Sequence, residues 1–422
     1  MLLAGGRGTR LNILAAHRAK PAVPFAGVYR IIDFALSNCM DGKLNVMGVL
    51  TQYRPLSLMN HLTDGSPWDM SGRSGALKIM PPYQASEDFD WYHGTADAVY
   101  QNLNFIWRHK PDRVLILSGD HIYHMDYRKM IEFHVHNDSD FTIAAMPVPW
   151  EETSRFGIIV SDSNQKIVEF QEKPKEAKSN FASMGIYVFN TGVLLEELQR
   201  AHKNGGTDFG ADVIPSMLGR RKLSAFPFDG YWRDVGTIDS YFDANMDLLT
   251  PNTPMDLSRW KVRTNLAYES VHAMSPAKVS PSARVANSLV SQGCVVDGVV
   301  ENSILSPGVI VERGAVVKDS IVMHRSHVGY GAKVVRSIVD KHVTIKAGAS
   351  VGSYDRCEPN KLFPTHLVAG LVVVGKNSIV PEGVTVGPNV IIYPGVGEKH
   401  FSGPTVEPGE TIEPPAVHPA MR

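Results

Sequence analysis

The sequence predicts an α/β chain: a doubly wound, mostly parallel sheet followed by a left-handed parallel β-helix. Three observations carry this reading. Up to about residue 250, short apolar runs alternate with stretches of helical apolar spacing. After about residue 275, aliphatic residues recur at every sixth position. A glycine-rich loop with basic neighbours stands at the head of the chain, where a strand of such a sheet meets its ligand.

In chain order, the runs Val46 to Leu50, Val114 to Leu117, Phe141 to Met146, Ile158 to Val160 and Ile186 to Phe189 read as buried strands. Asp97 to Arg108 and Tyr127 to His136 read as helices between them. Strands alternating with helices imply a parallel, doubly wound sheet. Such sheets bind ligands beyond the carboxyl ends of their strands. The loop at Gly5 and the turn Ser118-Gly119-Asp120 both fall at such ends, so one crevice would serve both.

The second half changes period. Ile310, Val316, Val322, Val328 and Val334 stand six apart; a five-residue step leads to Val339, Ile345 and Val351. Val374, Val380, Val386 and Ile392 form a second run. Neither a strand nor an α-helix has this period; a hexapeptide β-helix has it, each coil stacking on the next. Ser353 to Thr365 breaks the rhythm and reads as a loop ejected from the solenoid. The expected organisation is a first domain over 1–250, a linker over 251–274, the β-helix over 275–402 and a poorly ordered tail over 403–422, rich in Pro and Glu.

Composition excludes several classes. The net charge of −1 over 422 residues offers no field for nucleic acid or an anionic membrane. Cys39, Cys294 and Cys357 are unclustered and odd in number, which argues for a reducing compartment without disulfides or a cysteine-based zinc site. No basic-then-apolar leader and no apolar run of about 18 residues is present. The expectation is a cytoplasmic protein.

The chemistry begins at Leu3-Ala4-Gly5-Gly6-Arg7-Gly8-Thr9-Arg10-Leu11. Glycines let backbone N–H groups approach anionic oxygens, and Arg10, Arg18 and Lys20 add charge. The loop matches neither G-x-G-x-x-G, because Leu11 stands where the third Gly belongs, nor the P-loop pattern. Asp120 ends a buried strand and reads either as a metal ligand or as a cap of the following turn. Mg²⁺ prefers one or two carboxylates with phosphate oxygens, so a second Asp is wanted; Asp234 by itself reads as the partner of Arg233 in an aromatic turn. Glu172-Lys173 by itself reads as a solvated charge pair at a hairpin end, although a carboxylate can accept from hydroxyls and an ammonium can neutralise a phosphate. Gln52 reads a base edge, relays a loop signal, or is a plain polar strand end. His121, His124, His134 and His136 lack metal-site spacing and read as surface or core histidines.

The loop with Lys20-Pro21 resembles the signature of the sugar-1-phosphate nucleotidyltransferases. Arg18-Ala19-Lys20-Pro21-Ala22-Val23-Pro24-Phe25, Arg30-Ile31-Ile32-Asp33-Phe34, Trp91-Tyr92-His93-Gly94-Thr95-Ala96-Asp97-Ala98-Val99 and Tyr231-Trp232-Arg233-Asp234-Val235-Gly236-Thr237 narrow it. Together they resemble the glucose-1-phosphate adenylyltransferase (ADP-glucose pyrophosphorylase) family of the bacterial glycogen pathway. The resemblance is close over residues 1 to about 250 and extends to the β-helix.

It implies that ATP and α-D-glucose 1-phosphate give ADP-glucose and pyrophosphate, with Mg²⁺. It implies Arg10, Lys20 and Asp120 as catalytic residues, and Asp120 with Asp234 as metal ligands. Leu3, Ala4, Gly5, Gly6, Gly8, Thr9, Gln52, Gly94 and Thr95 would bind ATP; Tyr92, Gly157, Glu172, Lys173 and Ser183 would bind glucose 1-phosphate.

The family is commonly a homotetramer under allosteric control. Relatives that respond to fructose 1,6-bisphosphate carry a lysine where His17 stands, so the activator here is a glycolytic phosphate or an organic acid left unnamed. Arg18, Arg30 and Arg108 match inhibitory-nucleotide positions, although Pro24 replaces a histidine. Rival readings are a transferase for another nucleotide or sugar, a non-catalytic regulatory subunit, and an acyltransferase using His324, His327 or His342. The family also carries several apolar residues before Leu3; with only Met1 and Leu2 here, the expectation is a stub of a first strand and a misassigned start or trimmed chain.

Overall fold

The computed structural model describes residues 1–72, 75–82 and 91–414. They divide into two compact units. One gathers Met1–Gly6, Phe34–Pro55 and Leu62–Trp232; the other gathers Arg7–Asp33, Leu56–His61 and the chain from Arg233 onward. The stretch expected as one domain over 1–250 therefore feeds both units. The glycine loop is the first crossing, with Gly6 in one unit and Arg7 in the other.

The first unit is built on a nine-stranded sheet. Ala76–Met80, Val46–Leu50, Leu2–Leu3 and Arg113–Ser118 run parallel in that order. Phe181–Asn190 then pairs antiparallel with Arg113–Ser118, and Phe141–Pro147 with Phe181–Asn190. Gly157–Ser161 and Ile167–Glu172 form an antiparallel pair beyond. The strand runs read from the sequence all appear, each within a few residues of its expected ends. Leu2–Leu3 sits between Val46–Leu50 and Arg113–Ser118, and the ammonium of Met1 donates to Leu115 O at 2.7 Å. Short as it is, this strand lies at the centre of the parallel half, with Leu2 fully buried.

Tyr127–His136 is helical as expected, with Asp126 capping its first turn through Arg128 N. The single helix expected over Asp97 to Arg108 is two, Thr95–Tyr100 and Leu103–His109. Asn102 causes the break. Its amide donates back to Ala98 O at 2.9 Å and to the Tyr92 hydroxyl at 3.0 Å, and its φ of −114° leaves the helical region.

The second unit carries the β-helix, with three parallel sheets of six, seven and seven strands. Ile310 pairs with His327, Val316 with Lys333 and Ile321 with Ile338, so three strands close one coil. The inward residues are Val311, Val317, Val322, Val328, Val334, Val339, Ile345 and Val351, all fully buried. This corrects the register at its start: Ile310 is 41 % exposed and Val316 lies outward of Val317. A five-residue step recurs in each of these coils, including between Val317 and Val322, and an unbroken count of six runs past it. The second run, Val374, Val380, Val386 and Ile392, keeps the step of six and is buried throughout.

Corners take left-handed backbone at Asn287, Asn302 and Asp319, and their side chains stack as a ladder, Asn287 to Asn302 at 2.9 Å and Asn302 to Asp319 at 2.6 Å. The interruption after Val351 is a loop, as read, and it is anchored. Asn360 donates to Asn389 O and Glu410 O, while Asn389 Oδ1 accepts from Gly370 N at 2.7 Å. The segment expected as a tail from 403 instead supplies two further strands. Thr405–Val406 pairs with Thr385–Val386 and Thr411–Ile412 with Ile391–Ile392, continuing the coil register that Pro and Glu in the turns disguise. Residues 415–422 of that expected tail lie outside the described residues.

In the same unit, Arg7–Asp33 is fixed by distant partners. Tyr241 donates its hydroxyl to Pro24 O, Ala26 N donates to Asn245 Oδ1 at 2.9 Å, and Arg18 makes a two-pronged bond to Asp340 at 2.7 and 2.8 Å.

Candidate active site

Within the first unit, the strand ends converge as expected. Ala4 N donates to Leu50 O, and Gly119 N to Leu3 O. Asp120 follows the Arg113–Ser118 strand. It accepts from the Ser118 hydroxyl and lies 3.5 Å from His121 Nε2, whose ring meets Trp232 edge-on.

Among the residues matched to ATP, Gln52 is buried and its amide engages the Tyr92 main chain at both ends: Oε1 accepts from Tyr92 N at 2.6 Å and Nε2 donates to Tyr92 O at 3.2 Å. A side chain here imitates a strand pair. This geometry makes Gln52 the holder of the Tyr92 loop, a role outside the three read from the sequence. The Tyr92 hydroxyl donates to Met80 O at 3.0 Å and accepts from Asn102 Nδ2 at 3.0 Å. Gly94 lies against Thr207, where a Cβ would fall 2.4 Å from Thr207 O. Thr95 donates to Asp208 Oδ2 at 2.9 Å and accepts from Phe209 N at 3.0 Å.

The residues matched to glucose 1-phosphate in strands and their ends, Gly157, Glu172, Lys173 and Ser183, meet at the far edge of the same sheet. Gly157 is in register with Glu172, and a Cβ on it would strike the Phe170 ring at 2.5 Å. Glu172 is half-buried and pairs with the exposed Lys173 at 2.7 Å. Ser183 sits where the Phe181–Asn190 strand bulges; Gly185, at φ 68°, takes the left-handed turn and donates to Ser183 Oγ.

Two groups here escaped the sequence reading. Tyr187 is buried, and burial above all, with the Asp208 and Glu172 charges adding, pushes its phenol above the ordinary value while a Ser183 bond works the other way. The other is Phe209–Val213, a single π-turn capped by Asp208 through Gly210 N and Ala211 N. Gly210 lies so close to Glu172 that a Cβ would fall 2.3 Å from Oε2. The only sequence trace is a Gly205-Gly206-Thr207-Asp208 turn ahead of Phe209-Gly210.

Within the second unit, the loop continues as a 3₁₀ segment, Thr9–Ala15. Gly8 is left-handed, at φ 65°, and packs against Lys20 and Ala15, leaving Arg10 exposed. Lys20 is nearly buried and pairs with Asp234 at 3.1 Å. Gly236 makes room for that carboxylate, since a Cβ there would meet both Asp234 oxygens within 3 Å.

The residues matched to regulation divide between the units. Arg18 and Arg30 are both nearly buried in the second, and His17 is exposed there. Arg30 lies over the Tyr268 ring and 3.8 Å from Glu269, which also binds Lys341 at 2.7 Å and stands 3.9 Å from His324. Burial acts to raise the Glu269 carboxyl, but Lys341, His324 and Arg30 outweigh it and hold the group at about 2. Arg108 is exposed in the first unit, on a cavity of about 330 Å³ lined with Lys78, Met80, Pro81 and Asn102. His134 is a core histidine bonded to Thr142 and Asn190.

Comparison with known proteins agrees with this anatomy. The Nucleotidyl transferase family model matches residues 1–251, and the model for the GlmU-like C-terminal hexapeptide region matches residues 274–374. The chain is 50 % identical over 99 % of its length to a glucose-1-phosphate adenylyltransferase of Thermomicrobium roseum, covering 98 % of that protein. It is 43 % identical over 98 % of its length to that of Acetivibrio thermocellus, covering 96 % of it. With the relative from Bacillus cereus the identity is 46 % over 83 % of this chain and 93 % of the other.

Fold and motifs together define a nucleotidyltransferase joined to a hexapeptide β-helix. Nucleotidyltransferases of this type generally use divalent metal ions. The chain belongs to the glucose-1-phosphate adenylyltransferase family.

No helix among the described residues is long and apolar enough to cross a membrane.

Proposed function

We propose that this chain transfers the adenylyl group of ATP to α-D-glucose 1-phosphate, releasing pyrophosphate and supplying ADP-glucose for glycogen synthesis. The observation that carries this is identity to named adenylyltransferases over nearly the whole length; Arg10, Lys20, Asp120 and Asp234, which stand in the motifs that resemble that family, are the residues assigned to the reaction.

A phosphate oxygen of the sugar forms a bond to the α-phosphorus of ATP, and the bond to the pyrophosphate oxygen breaks. No protein nucleophile is required, so the residues act by positioning and by balancing charge. Arg10, exposed on the loop, and Lys20, buried beside it, take the charge that grows on the departing pyrophosphate. Glu172 accepts from sugar hydroxyls while Lys173 neutralises the sugar phosphate.

The carboxylates of Asp120 and Asp234 suit Mg²⁺, a hard cation that takes one or two carboxylates and completes its shell with phosphate oxygens and water. The space that Gly236 leaves around Asp234 fits that role. Bound there, Mg²⁺ would neutralise charge on the reacting phosphates. The Lys20–Asp234 contact then gives Asp234 a cationic partner in the unliganded protein.

We assign Arg18, Arg30, His17 and Arg108 to regulation by small phosphorylated or organic-acid effectors in a homotetramer. Arg108, exposed on a cavity that Lys78 also lines, supports this.

One assay tests the reading: pyrophosphate release with glucose 1-phosphate, Mg²⁺ and each of ATP, UTP, dTTP and GTP, with and without hexose phosphates or pyruvate. ATP-selective turnover that Asp120→Asn abolishes is expected, together with a response to at least one effector. Turnover with another nucleotide, or none with any, would assign the chain to a different transferase or to a regulatory subunit. Retained activity in Asp120→Asn would remove the metal role, and kinetics indifferent to effectors would remove the regulatory one. Light scattering reads the assembly; a monomer would contradict the tetramer.

A further inference from the structure

We infer that Thr95 is a positioning residue for the sugar-phosphate half of the site and not a nucleotide contact: its hydroxyl fastens the turn that walls Glu172. The inference rests on the reading of Glu172 as a sugar ligand.

A threonine hydroxyl has one proton to give. In Thr95 that proton goes to Asp208 Oδ2 at 2.9 Å, and a lone pair takes Phe209 N at 3.0 Å. Asp208 turns its other oxygen to Gly210 N at 2.8 Å and Ala211 N at 3.1 Å. These bonds hold the π-turn Phe209–Val213 open at its first residues, an uncommon geometry that clusters at functional sites. Ala96 N and Asp97 N both donate to Thr207 O, so two loops distant in sequence are stitched by main chain and side chain together.

The fastened turn has one consequence for chemistry. Gly210 presses against Glu172 with no room for a methyl group. The π-turn therefore limits the positions open to Glu172, whose other oxygen pairs with Lys173 at 2.7 Å. Thr95 opens the Thr95–Tyr100 helix on the nucleotide side, yet its bonds run to the wall of the sugar side. The pair Thr95–Asp208 is the link by which the Gly94 turn sets the sugar pocket.

The test compares Thr95→Val, which keeps shape but loses both bonds, with Thr95→Ser, which keeps the oxygen. In the full-length protein, Thr95→Val is expected to raise KM for glucose 1-phosphate about tenfold, the scale of a lost hydrogen bond to a charged group. KM for ATP should move less than twofold, and Thr95→Ser should restore the sugar KM. A rise in KM for ATP alone would make Thr95 a nucleotide contact and overturn the inference. Equal losses in the Val and Ser variants would overturn it too.

Gly210→Ala gives an independent reading should Thr95→Val fold poorly. Its methyl group falls on Glu172, so it should reproduce the selective loss of sugar affinity; an unchanged sugar KM would reject the link. Glu172→Gln separates the two layers. If it leaves the sugar KM unchanged, the reading of Glu172 fails; if it raises that KM while Thr95→Val and Gly210→Ala do not, the inference fails alone.

Discussion

Glu269 gathers Lys341, Arg30 and His324 around one carboxylate in the second unit, with Glu269 and Ser270 both on left-handed backbone. Its folded value of about 2 lies below its ordinary 4.5. A depressed carboxyl stabilises the fold above its unfolded value, and that contribution fades as pH falls through 4.5 towards 2. Glu269→Gln leaves buried cations uncompensated and should cost about 3 kcal/mol at neutral pH. Urea unfolding of both proteins across pH checks this: the gap should narrow below pH 4.5 and close near pH 2. A gap that stays constant through that window would show that charge on Glu269 is not what stabilises the cluster. Little of this was legible in the sequence. Arg18 and Arg30 stood out there as cations with an assigned use, but Glu269 and Lys341 lie in a linker and a coil with no motif, and only folding brings them together.

At the scale of the element, the β-helix teaches where periodicity misleads. The hexapeptide rhythm was plain, and the buried aliphatic column is there. Yet Ile310 and Val316, read as inward, are neighbours of the inward residues, because the coil closes with a five-residue step that a constant period of six slides past. Val317→Ala should therefore cost about 2 kcal/mol through lost burial and an unfilled space, while Ile310→Ala should stay within about 0.5 kcal/mol. Thermal melting of the two variants orders them, and the reverse order would restore the register counted from Ile310. The helix expected over Asp97 to Arg108 failed for another reason. Its apolar spacing is continuous, but Asn102 spends its amide on Ala98 O and ends the first helix. Periodicity reports which face is buried and says nothing of a side chain competing for the backbone. The π-turn at Phe209 has no periodic trace at all, which is why the turn beside Glu172 was invisible.

At the scale of the whole molecule, the legible part is the succession of a sheet and a solenoid. The illegible part is the threading. Arg7–Asp33, with Arg10 and Lys20, belongs to the unit that contains the β-helix, and it is held there by Asp340, Asn245 and Tyr241. Bonds between residue 18 and residue 340 leave no local mark on either. Residues 1–250 expressed alone should therefore fail to form ADP-glucose at a measurable rate, since Arg18 loses its two-pronged partner and the loop its support. Activity of that fragment equal to the full chain would show that the loop needs only its own neighbourhood.

The anchored loop after Val351 has a use beyond the fold that carries it. Ser337–Val339 pairs with Val372–Val374 as though nothing intervened, and Asn360 and Asn389 clamp what does. The stacked coils on either side set the spacing of the two chain ends, and lengthening a closed loop twofold adds only about 0.6 kcal/mol. This corner is thus a grafting port. A foreign peptide could be spliced in between the clamps and displayed on a rigid prism, while the solenoid core on which it rides stays blind to its length.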